Sequence, residues 1–443
     1  MKTPISAFLN KYAESKSIRC HMPGHKGAGN GAEKYDITEI QGADSLFEAD
    51  GIILESEKIA GEIFGADTFY STEGSSLSIR AMTYLISLYA KSRAERPIIA
   101  AARNVHKSFV SAAALLDVEV DWITSSGTTY LSSEISAVDV ERYLKDRETL
   151  PTALYLTSPD YIGHTSPISE IANVCHRNGI LLVVDNAHGA YLKFMSPSSH
   201  PIDLGADMCC DSAHKTLNAL TGAAYLHISR KAPLFFRDNA KTALSLFAST
   251  SPSYLILKSL DELNSYLAEN YKNHLNDFIV HLNSLKARLT THGYEIAETE
   301  PMKLTIKAKK YGYTGHELAD ILAKREIFSE FADKDFLVLM LTPNNSENDI
   351  SLLSEAFLQI PKREEIATQP PPFVIPKKAI SIREAVLSNQ ETLPIESCIG
   401  RTLASVTVGC PPAIPIVVSG EIIDEGSIEI FKYYGIENCT VTK

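Results

Sequence analysis

The chain lacks the features that mark secreted, membrane-spanning and nucleic-acid-binding proteins. Its seven cysteines are an odd number and form no Cys-x-x-Cys pair, which argues against a disulfide framework or a zinc ribbon and for reduced thiols. No window reaches the roughly 18 apolar residues of a membrane helix, and the first residues lack the apolar core of a signal peptide. The net charge of −12, without any block of Lys and Arg, argues against nucleic acid as the main partner. We therefore expect a soluble cytoplasmic protein that binds neither a membrane nor nucleic acid.

The length of 443 residues exceeds what one hydrophobic core ordinarily serves, so two or three domains are expected. A proline-rich stretch with Pro370-Pro371-Pro372 and Pro376 is typical of a linker. The expected organisation is an N-terminal segment over 1–20, a large domain over 21–255, a bridging helix with a small α+β domain over 256–360, a linker over 361–378, and a C-terminal module over 379–443.

Short apolar runs alternate with segments of helical spacing between residues 52 and 229. Residues 180–185 form a continuous apolar run, as in a strand covered on both faces, whereas residues 75–92 have the period of an amphipathic helix. This alternation predicts an α/β fold with a mostly parallel sheet and helices on both faces, followed by a smaller α+β region. In such sheets ligands bind beyond the carboxyl ends of the strands. The polar segments at predicted strand ends are 104–106, 158–160 and 185–188.

Two of these features together indicate cofactor chemistry. The pentapeptide Asp211-Ser212-Ala213-His214-Lys215 lies downstream of the predicted strand that ends in Asp185. A lysine that forms a Schiff base and an acid that holds a heteroaromatic cation suggest pyridoxal 5′-phosphate (PLP). Taken singly, Lys215 has the alternative of an ordinary surface lysine and Asp185 that of a helix cap or a solvated acid. Their order and their shared position at strand ends favour the cofactor.

A phosphate site and several histidines extend the hypothesis. Thr72-Glu73-Gly74-Ser75-Ser76 precedes a predicted helix, where glycine permits close approach, hydroxyls donate and the helix N-terminus favours an anion. By itself this segment is better interpreted as an ordinary helix cap. Ser212 could add a phosphate contact and His214 could shuttle protons. His188 could reach the cofactor's phenolic oxygen or a substrate, and His106 could stack on a flat ring. A structural histidine is the alternative for His188.

The sequence predicts no metal site. His21 and His25 have a spacing that suits two ligands on one helix, but Pro23-Gly24 breaks any helix there.

A set of longer motifs carries a resemblance that spans nearly the whole chain. The motifs are His21-Met22-Pro23-Gly24-His25-Lys26-Gly27, Phe64-Gly65-Ala66-Asp67-Thr68-Phe69, Asn104-Val105-His106-Lys107-Ser108, Asp185-Asn186-Ala187-His188-Gly189-Ala190, Ser212-Ala213-His214-Lys215-Thr216-Leu217, Thr250-Ser251-Pro252-Ser253-Tyr254, and Pro411-Pro412-Ala413-Ile414-Pro415 with Ser419-Gly420-Glu421. In this order they make the chain resemble the bacterial ornithine/lysine/arginine decarboxylases. These are PLP-dependent enzymes of fold type I, the aspartate-aminotransferase fold.

The resemblance implies a cofactor role for several residues. Lys215 matches the Schiff-base lysine, Asp185 the acid that pairs with the pyridine nitrogen, and His106 the histidine that stacks on the cofactor ring. His188 matches the histidine beside the phenolic oxygen, and His214 the one next to the lysine. The segment expected to bind the phosphate comprises Gly74, Ser75, Ser76 and Ser212.

The resemblance also implies a reaction and an assembly. Thr250 and Ser251 match a segment that reaches toward the neighbouring subunit's phosphate, so a homodimer with shared active sites is expected. Glu421 matches a C-terminal acid that could meet the distal cation of an amino-acid substrate. The implied reaction is α-decarboxylation of lysine, arginine or ornithine to an amine and CO2.

The chain departs from the family pattern at several positions. Asn186 and Tyr191 stand where the family's Asp-Glu-Ala-His-Gly-Ala-His motif has Glu and the second His, and Glu73 stands in place of an Asn. Ala413 replaces a turn glycine and Ser419 a proline. The chain also resembles the shorter form of these enzymes, without the N-terminal wing domain. Two alternatives stay open: another fold type I PLP enzyme, such as an aminotransferase or a lyase, and a PLP-binding protein of low activity with a regulatory role.

Overall fold

A computed structural model describes the chain apart from residues 30, 126, 131, 146 and 407–414. The helices are α1 Pro4–Glu14, α2 Ile52–Phe64, α3 Gly74–Ser92, α4 Lys107–Leu116, α5 Ala137–Leu144, α6 Ile168–Arg177, α7 Ala213–Thr216, α8 Leu234–Ser245, α9 Tyr254–Tyr266, α10 Lys272–His292, α11 Gly315–Ala323, α12 Glu347–Leu358, α13 Ile382–Val386 and α14 Glu425–Tyr434. The strands are β1 Ala66–Ser71, β2 Ile98–Ala102, β3 Glu119–Ile123, β4 Ala153–Thr157, β5 Leu181–Asp185, β6 Met208–Asp211, β7 Ala224–Ser229, β8 Lys303–Lys307, β9 Phe331–Ala332, β10 Phe336–Met340, β11 Gln390–Pro394 and β12 Asn438–Thr442.

The chain forms two compact units, each built from separate stretches of sequence. The first comprises Met1–Pro97, Thr152–Tyr155 and Ile168–His274, and the second Ile98–Pro151, Leu156–Pro167 and Leu275–Lys443. No helix in the described part of the chain is both long and apolar enough to cross a membrane.

In the first unit, strands β1, β7, β6 and β5 lie side by side in that order. β7 pairs antiparallel with both β1 and β6, whereas β6 and β5 are parallel. Every residue of β5 is buried, as its apolar sequence predicts for a strand covered on both faces. Because β5 and β6 run in the same direction, their last residues, Asp185 and Asp211, end at the same edge of the sheet.

Local sequence sets where the helix before β5 stops. Gly179 has a φ of +69°, in the left-handed region that glycine adopts without steric cost. The backbone N–H of Ile180 donates to the carbonyl of Cys175 at 3.0 Å, which closes the end of α6. The chain therefore turns directly into β5. Gly179, the signal that ends α6, is visible in the sequence, and it sets where β5 starts and so where Asp185 lies.

A buried carboxylate joins the N-terminal helix to the rest of the first unit. Asp261 on α9 is fully buried, and it accepts hydrogen bonds from the Ser6 backbone N–H at 2.8 Å and the Ser56 hydroxyl at 2.6 Å. Burial raises the pKa of Asp261 to about 6, and these hydrogen bonds offset only part of the effect. The three elements α1, α2 and α9 thus meet at a group that titrates above the usual range of an aspartate.

We expect Asp261 to make the protein less stable as the pH rises. Its folded pKa of about 6 exceeds the ordinary 3.8, so the stability it contributes is complete below its unfolded pKa and is lost as the pH rises through the folded one. The difference between these two pKa values corresponds to about 3 kcal/mol. Asp261→Asn keeps the shape and cannot ionise. In urea unfolding it should therefore gain stability relative to the wild type between pH 4 and pH 7.

A matched control for this prediction is Asp139→Asn. Burial would raise the pKa of Asp139, but hydrogen bonds from Ser136 and Arg142 outweigh burial and lower it. The stability that Asp139 contributes is present above its ordinary pKa of 3.8 and is lost as the pH falls through the lower folded value, so the offset of this variant should stay nearly constant between pH 5 and pH 7. An Asp261→Asn offset that stays constant from pH 4 to pH 7 would contradict the assignment.

The second unit contains the parallel strands β2 and β3 and two antiparallel sheets, and these two sheets have separate cores. β2 and β3 pair in parallel, β8, β10 and β9 form an antiparallel sheet, and β11 pairs antiparallel with β12. The β8–β10–β9 sheet has a core that includes Tyr294 and Tyr311, whose rings stack 3.7 Å apart. The β11–β12 pair shares a core with Ile395, Leu403 and Phe431.

Candidate active site

The carboxylate at the end of β5 is buried among neutral donors. Asp185 is 2% exposed, and its Oδ1 accepts from the Ala187 backbone N–H at 3.1 Å and the Cys210 thiol at 3.4 Å. Its Oδ2 accepts from the Tyr155 hydroxyl at 3.3 Å. Burial, reinforced by the charge of Asp185, raises the pKa of both Tyr155 and Cys210, so both remain protonated donors. A buried carboxylate oriented by neutral groups is suited to a cationic partner, because burying an anion without a counter-charge is costly.

The lysine of the pentapeptide lies beside a histidine from the neighbouring strand end. Lys215 is the third residue of α7, and its Nζ lies 2.8 Å from Nε2 of His188. An ammonium has only donors, so against a charged lysine His188 accepts through Nε2 and carries its own proton on Nδ1. His188 is 6% exposed. The pair therefore places a nucleophilic amine next to a group that can take or return its proton.

His214 has a fixed ring orientation. Its Nδ1 lies 2.9 Å from the backbone carbonyl of Ala223, the residue before β7. A carbonyl only accepts, so Nδ1 carries the proton and Nε2 has the lone pair in the neutral ring. The imidazole is thus held in one tautomer directly beside Lys215.

Hydroxyls from two segments converge at the start of the longest helix of the first unit. The Ser212 hydroxyl donates to the Ser75 hydroxyl at 2.8 Å, and Ser75 and Ser76 stand in the first turn of α3. Gly74 has a φ of +71°, and its N–H donates to the carbonyl of Gly222 at 2.8 Å. The N–H groups of a first helical turn have no partner within the helix. Together with the helix dipole they favour an anion such as a phosphate.

Glu73 contacts the segment that contains Thr250 and Ser251. Its carboxylate accepts from the Ser249 backbone N–H at 2.7 Å. Thr250 and Ser251 are exposed, in the connection between α8 and α9. The acid at position 73 therefore anchors this connection to the start of α3.

A second buried carboxylate ends β6 immediately before Ser212. Asp211 lies 3.0 Å from His200 Nε2, 3.2 Å from His227 Nε2 and 2.7 Å from the Asn186 amide. Burial alone would raise the pKa of Asp211, but the attraction and hydrogen bonds of the two histidines more than offset it and hold it well below its usual value. Asn186 donates to this anion, whereas the family's glutamate at this position would bring a second carboxylate against it. The departure at Asn186 therefore has a local electrostatic reason.

The second unit holds the two remaining site candidates. His106 is the N-cap of α4, and its Nδ1 accepts from the Ser108 backbone N–H at 3.2 Å. Glu421 is 3% exposed and makes a bidentate pair with Arg103, at 2.7 and 2.6 Å. Its Oε2 also accepts from the Val418 N–H at 2.7 Å. The predicted role of Glu421 at the substrate stays a prediction, and the nearby Pro411–Ile414 part of the motif lies outside the described residues.

The groups gathered in the first unit fit PLP. They offer a lysine amine for its aldehyde, a buried carboxylate for its ring nitrogen, and hydroxyls at a helix N-terminus for its phosphate. The sequence does not point to Tyr155 or Cys210 as members of this site, and it assigns no role to Asp211 although that residue opens the pentapeptide. Tyr155 and Cys210 lie inside apolar strands, where their residue types are typical of a core, so no local signal distinguishes them.

Comparisons with known proteins agree with this arrangement. Residues 3–301 match the family model described as Orn/Lys/Arg decarboxylase, major domain, and residues 361–439 match its C-terminal domain. The chain is 30% identical to arginine decarboxylase of Bacillus subtilis (strain 168), over 97% of this chain and 93% of that protein. It is also 30% identical to arginine decarboxylase of Halalkalibacterium halodurans, over 96% of this chain and 92% of that protein.

The fold is likewise shared with a solved structure. The lysine decarboxylase LdcF of Francisella novicida superposes with a TM-score of 0.82 at 16% identity, covering all of this chain and 81% of that one. The predicted α/β fold of type I is thereby confirmed. The chain belongs to the Orn/Lys/Arg decarboxylase family, whose enzymes are PLP-dependent carboxy-lyases.

Proposed function

We propose that the protein catalyses the α-decarboxylation of a basic L-amino acid, with L-arginine as the first candidate, to the corresponding amine and CO2. The observation that carries the proposal is the Lys215–His188 contact of 2.8 Å, at the same sheet edge as the buried carboxylate of Asp185. Arginine comes first because relatives at 30% identity over nearly the whole chain are named arginine decarboxylases.

Each residue has a distinct share in the proposed reaction. PLP, when bound, supplies the electron sink that lets the bond between Cα and the carboxylate break. Lys215 provides the amine that attaches the cofactor, and Asp185 holds the negative charge that favours a protonated ring nitrogen. Lys215 or His214 returns a proton to Cα before the amine leaves. His188 holds or accepts the proton at Nζ of Lys215.

The open alternatives have less support than decarboxylation. Membership of a decarboxylase family favours loss of CO2 over transamination. The departures at Asn186, Tyr191 and Glu73 favour a binding protein of low activity. Asn186 and Glu73 have specific partners, Asp211 and the Ser249 N–H, so lost catalysis is not needed to account for these two. Tyr191 is completely buried.

We further propose a cytoplasmic homodimer with shared active sites. Thr250 and Ser251 are exposed, which suits residues that serve a neighbouring subunit's phosphate. Glu73 restrains the segment that presents them.

The test of the proposed reaction is mass-spectrometric product analysis. The PLP-loaded protein is incubated separately with L-arginine, L-lysine and L-ornithine, beside a Lys215→Ala control. We expect agmatine from arginine, formed about tenfold or more faster than cadaverine or putrescine, because side-chain differences of this size are worth about 1–3 kcal/mol. If cadaverine or putrescine dominates instead, the substrate is lysine or ornithine and not arginine. No amine from any of the three, despite bound PLP, would overturn the proposed function.

A further inference from the structure

The C-terminal module contacts the last turn of helix α4. Arg383 on α13 donates from Nη1 to the carbonyls of Ala114 and Leu115, at 3.2 and 2.9 Å. The last carbonyls of a helix have no partner within it, and a cation there also complements the helix dipole. α13 packs along α4 as well. The C-terminal end of α4 is therefore held by Arg383, which lies 269 and 268 positions after the two residues it contacts.

The same module holds the segment that leads into the other end of α4. Arg103 follows β2 directly, stands three residues before His106, and is completely buried. Its two terminal nitrogens donate to the two oxygens of Glu421, and Nη2 also lies 3.3 Å from the carbonyl of Ile416. A planar guanidinium bound through both nitrogens is restrained in orientation as well as in position.

Both oxygens of Glu421 are therefore occupied. Oε1 accepts from Arg103, and Oε2 accepts from Arg103 and from the Val418 N–H. For Glu421 to meet the cation of a substrate, that cation would have to reach a carboxylate that is only 3% exposed and whose charge is already balanced by Arg103.

The helix held in this way is capped at its N-terminus by His106. The imidazole is the N-cap of α4, and its Nδ1 accepts from the N–H of Ser108 and lies 2.9 Å from the Ser108 hydroxyl. The ring plane of His106 is thus tied to the first turn of α4, and it moves whenever that turn moves.

We propose that Glu421, Arg103 and Arg383 are positioning residues, through which the C-terminal module fixes α4 and hence the ring of His106. This inference rests on the proposed function and on the cofactor role that the resemblance implies for His106. Glu421 then acts through Arg103 and not on the substrate. A displacement of about 1 Å at such a ring is enough to cost catalysis heavily.

The chain contains its own reporter for this arrangement. Its only tryptophan, Trp122 on β3, lies with its ring 4.9 Å from the guanidinium carbon of Arg103. Intrinsic fluorescence therefore reports on the Arg103–Glu421 pair without cofactor, substrate or turnover.

The experiment compares Glu421→Gln and Arg383→Gln with a matched control. Glu391→Gln removes the acid of another ion pair of the same module, Arg401–Glu391 at 2.8 Å, which is about one-third exposed. We expect Glu421→Gln to change Trp122 emission and to weaken PLP binding and lower kcat by about tenfold or more, with KM nearly unchanged. Arg383→Gln should weaken PLP binding in the same direction by a smaller factor, and Glu391→Gln should leave all three readouts unchanged.

Two results would overturn the proposal. The first is a Glu421→Gln protein with unchanged emission and PLP affinity but a tenfold higher KM, which is the behaviour of a residue that touches the substrate. The second applies if Glu421→Gln does not fold: an Arg383→Gln protein with the PLP affinity of the wild type would refute the positioning role. Emission and PLP affinity need no turnover, so they remain informative even if the wild type forms no amine.

Discussion

Replacing Lys215 with alanine is expected to abolish amine formation, with a loss of about 10⁴-fold or more, because the covalent nucleophile is removed outright. The visible absorbance of lysine-bound PLP should disappear as well. The side chain is partly buried and makes its contact through Nζ to His188, so its removal should leave the far-UV circular dichroism of the protein unchanged. Absorbance spectra and product analysis on the same sample measure both effects.

The control for this variant is Lys231→Ala, which removes an exposed lysine of the same unit. It should keep both the absorbance and the activity. A Lys215→Ala protein that retained the wild-type spectrum would place the covalent attachment at another lysine. That result would contradict the assignment of Lys215 and leave the family membership untouched.

Replacing Asp185 with asparagine is the second large effect. We expect kcat to fall by about 10²–10³-fold, the usual cost of removing one preorganised electrostatic contact in a buried site, with a smaller change in KM. Asparagine keeps the shape and can still accept from the Ala187 N–H, while its amide can donate to the Tyr155 hydroxyl oxygen. The loss would then reflect the missing charge and not a collapsed strand end.

The matched control is a buried aspartate, Asp207, at the opposite end of strands β5 and β6. Asp207 precedes β6 and accepts from the Leu182 N–H at 2.8 Å and from His176 at 3.0 Å. Asp207→Asn should keep kcat near the wild-type value, because it lies at the amino ends of β5 and β6. Full activity in Asp185→Asn would show that this carboxylate does not serve the cofactor.

Local signals predicted much of the architecture. The helical spacing over 75–92 predicts α3, and the apolar run over 180–185 predicts β5, both within a residue of the observed bounds. Signals of this kind lie within a few neighbouring residues, such as the period of a helix or the glycine that ends it. The sequence did not predict β1, half of whose residues are polar, or the four-residue β6, because neither contains a long apolar run and both are defined by the strands they pair with.

The sequence by itself determined the fold class and the family, and it supplied the proposal of Lys215 and Asp185 for the cofactor, since all three rest on contiguous motifs and on their order. Only the tertiary structure decided which side chains meet. It pairs Glu421 with Arg103 across 318 positions, Asn186 with Asp211, and Asp185 with Tyr155 and Cys210 from other strands. Such pairings depend on long-range packing. Packing excludes water, so each buried charged or polar group needs a hydrogen-bond partner, and the fold decides which side chain lies close enough to be that partner.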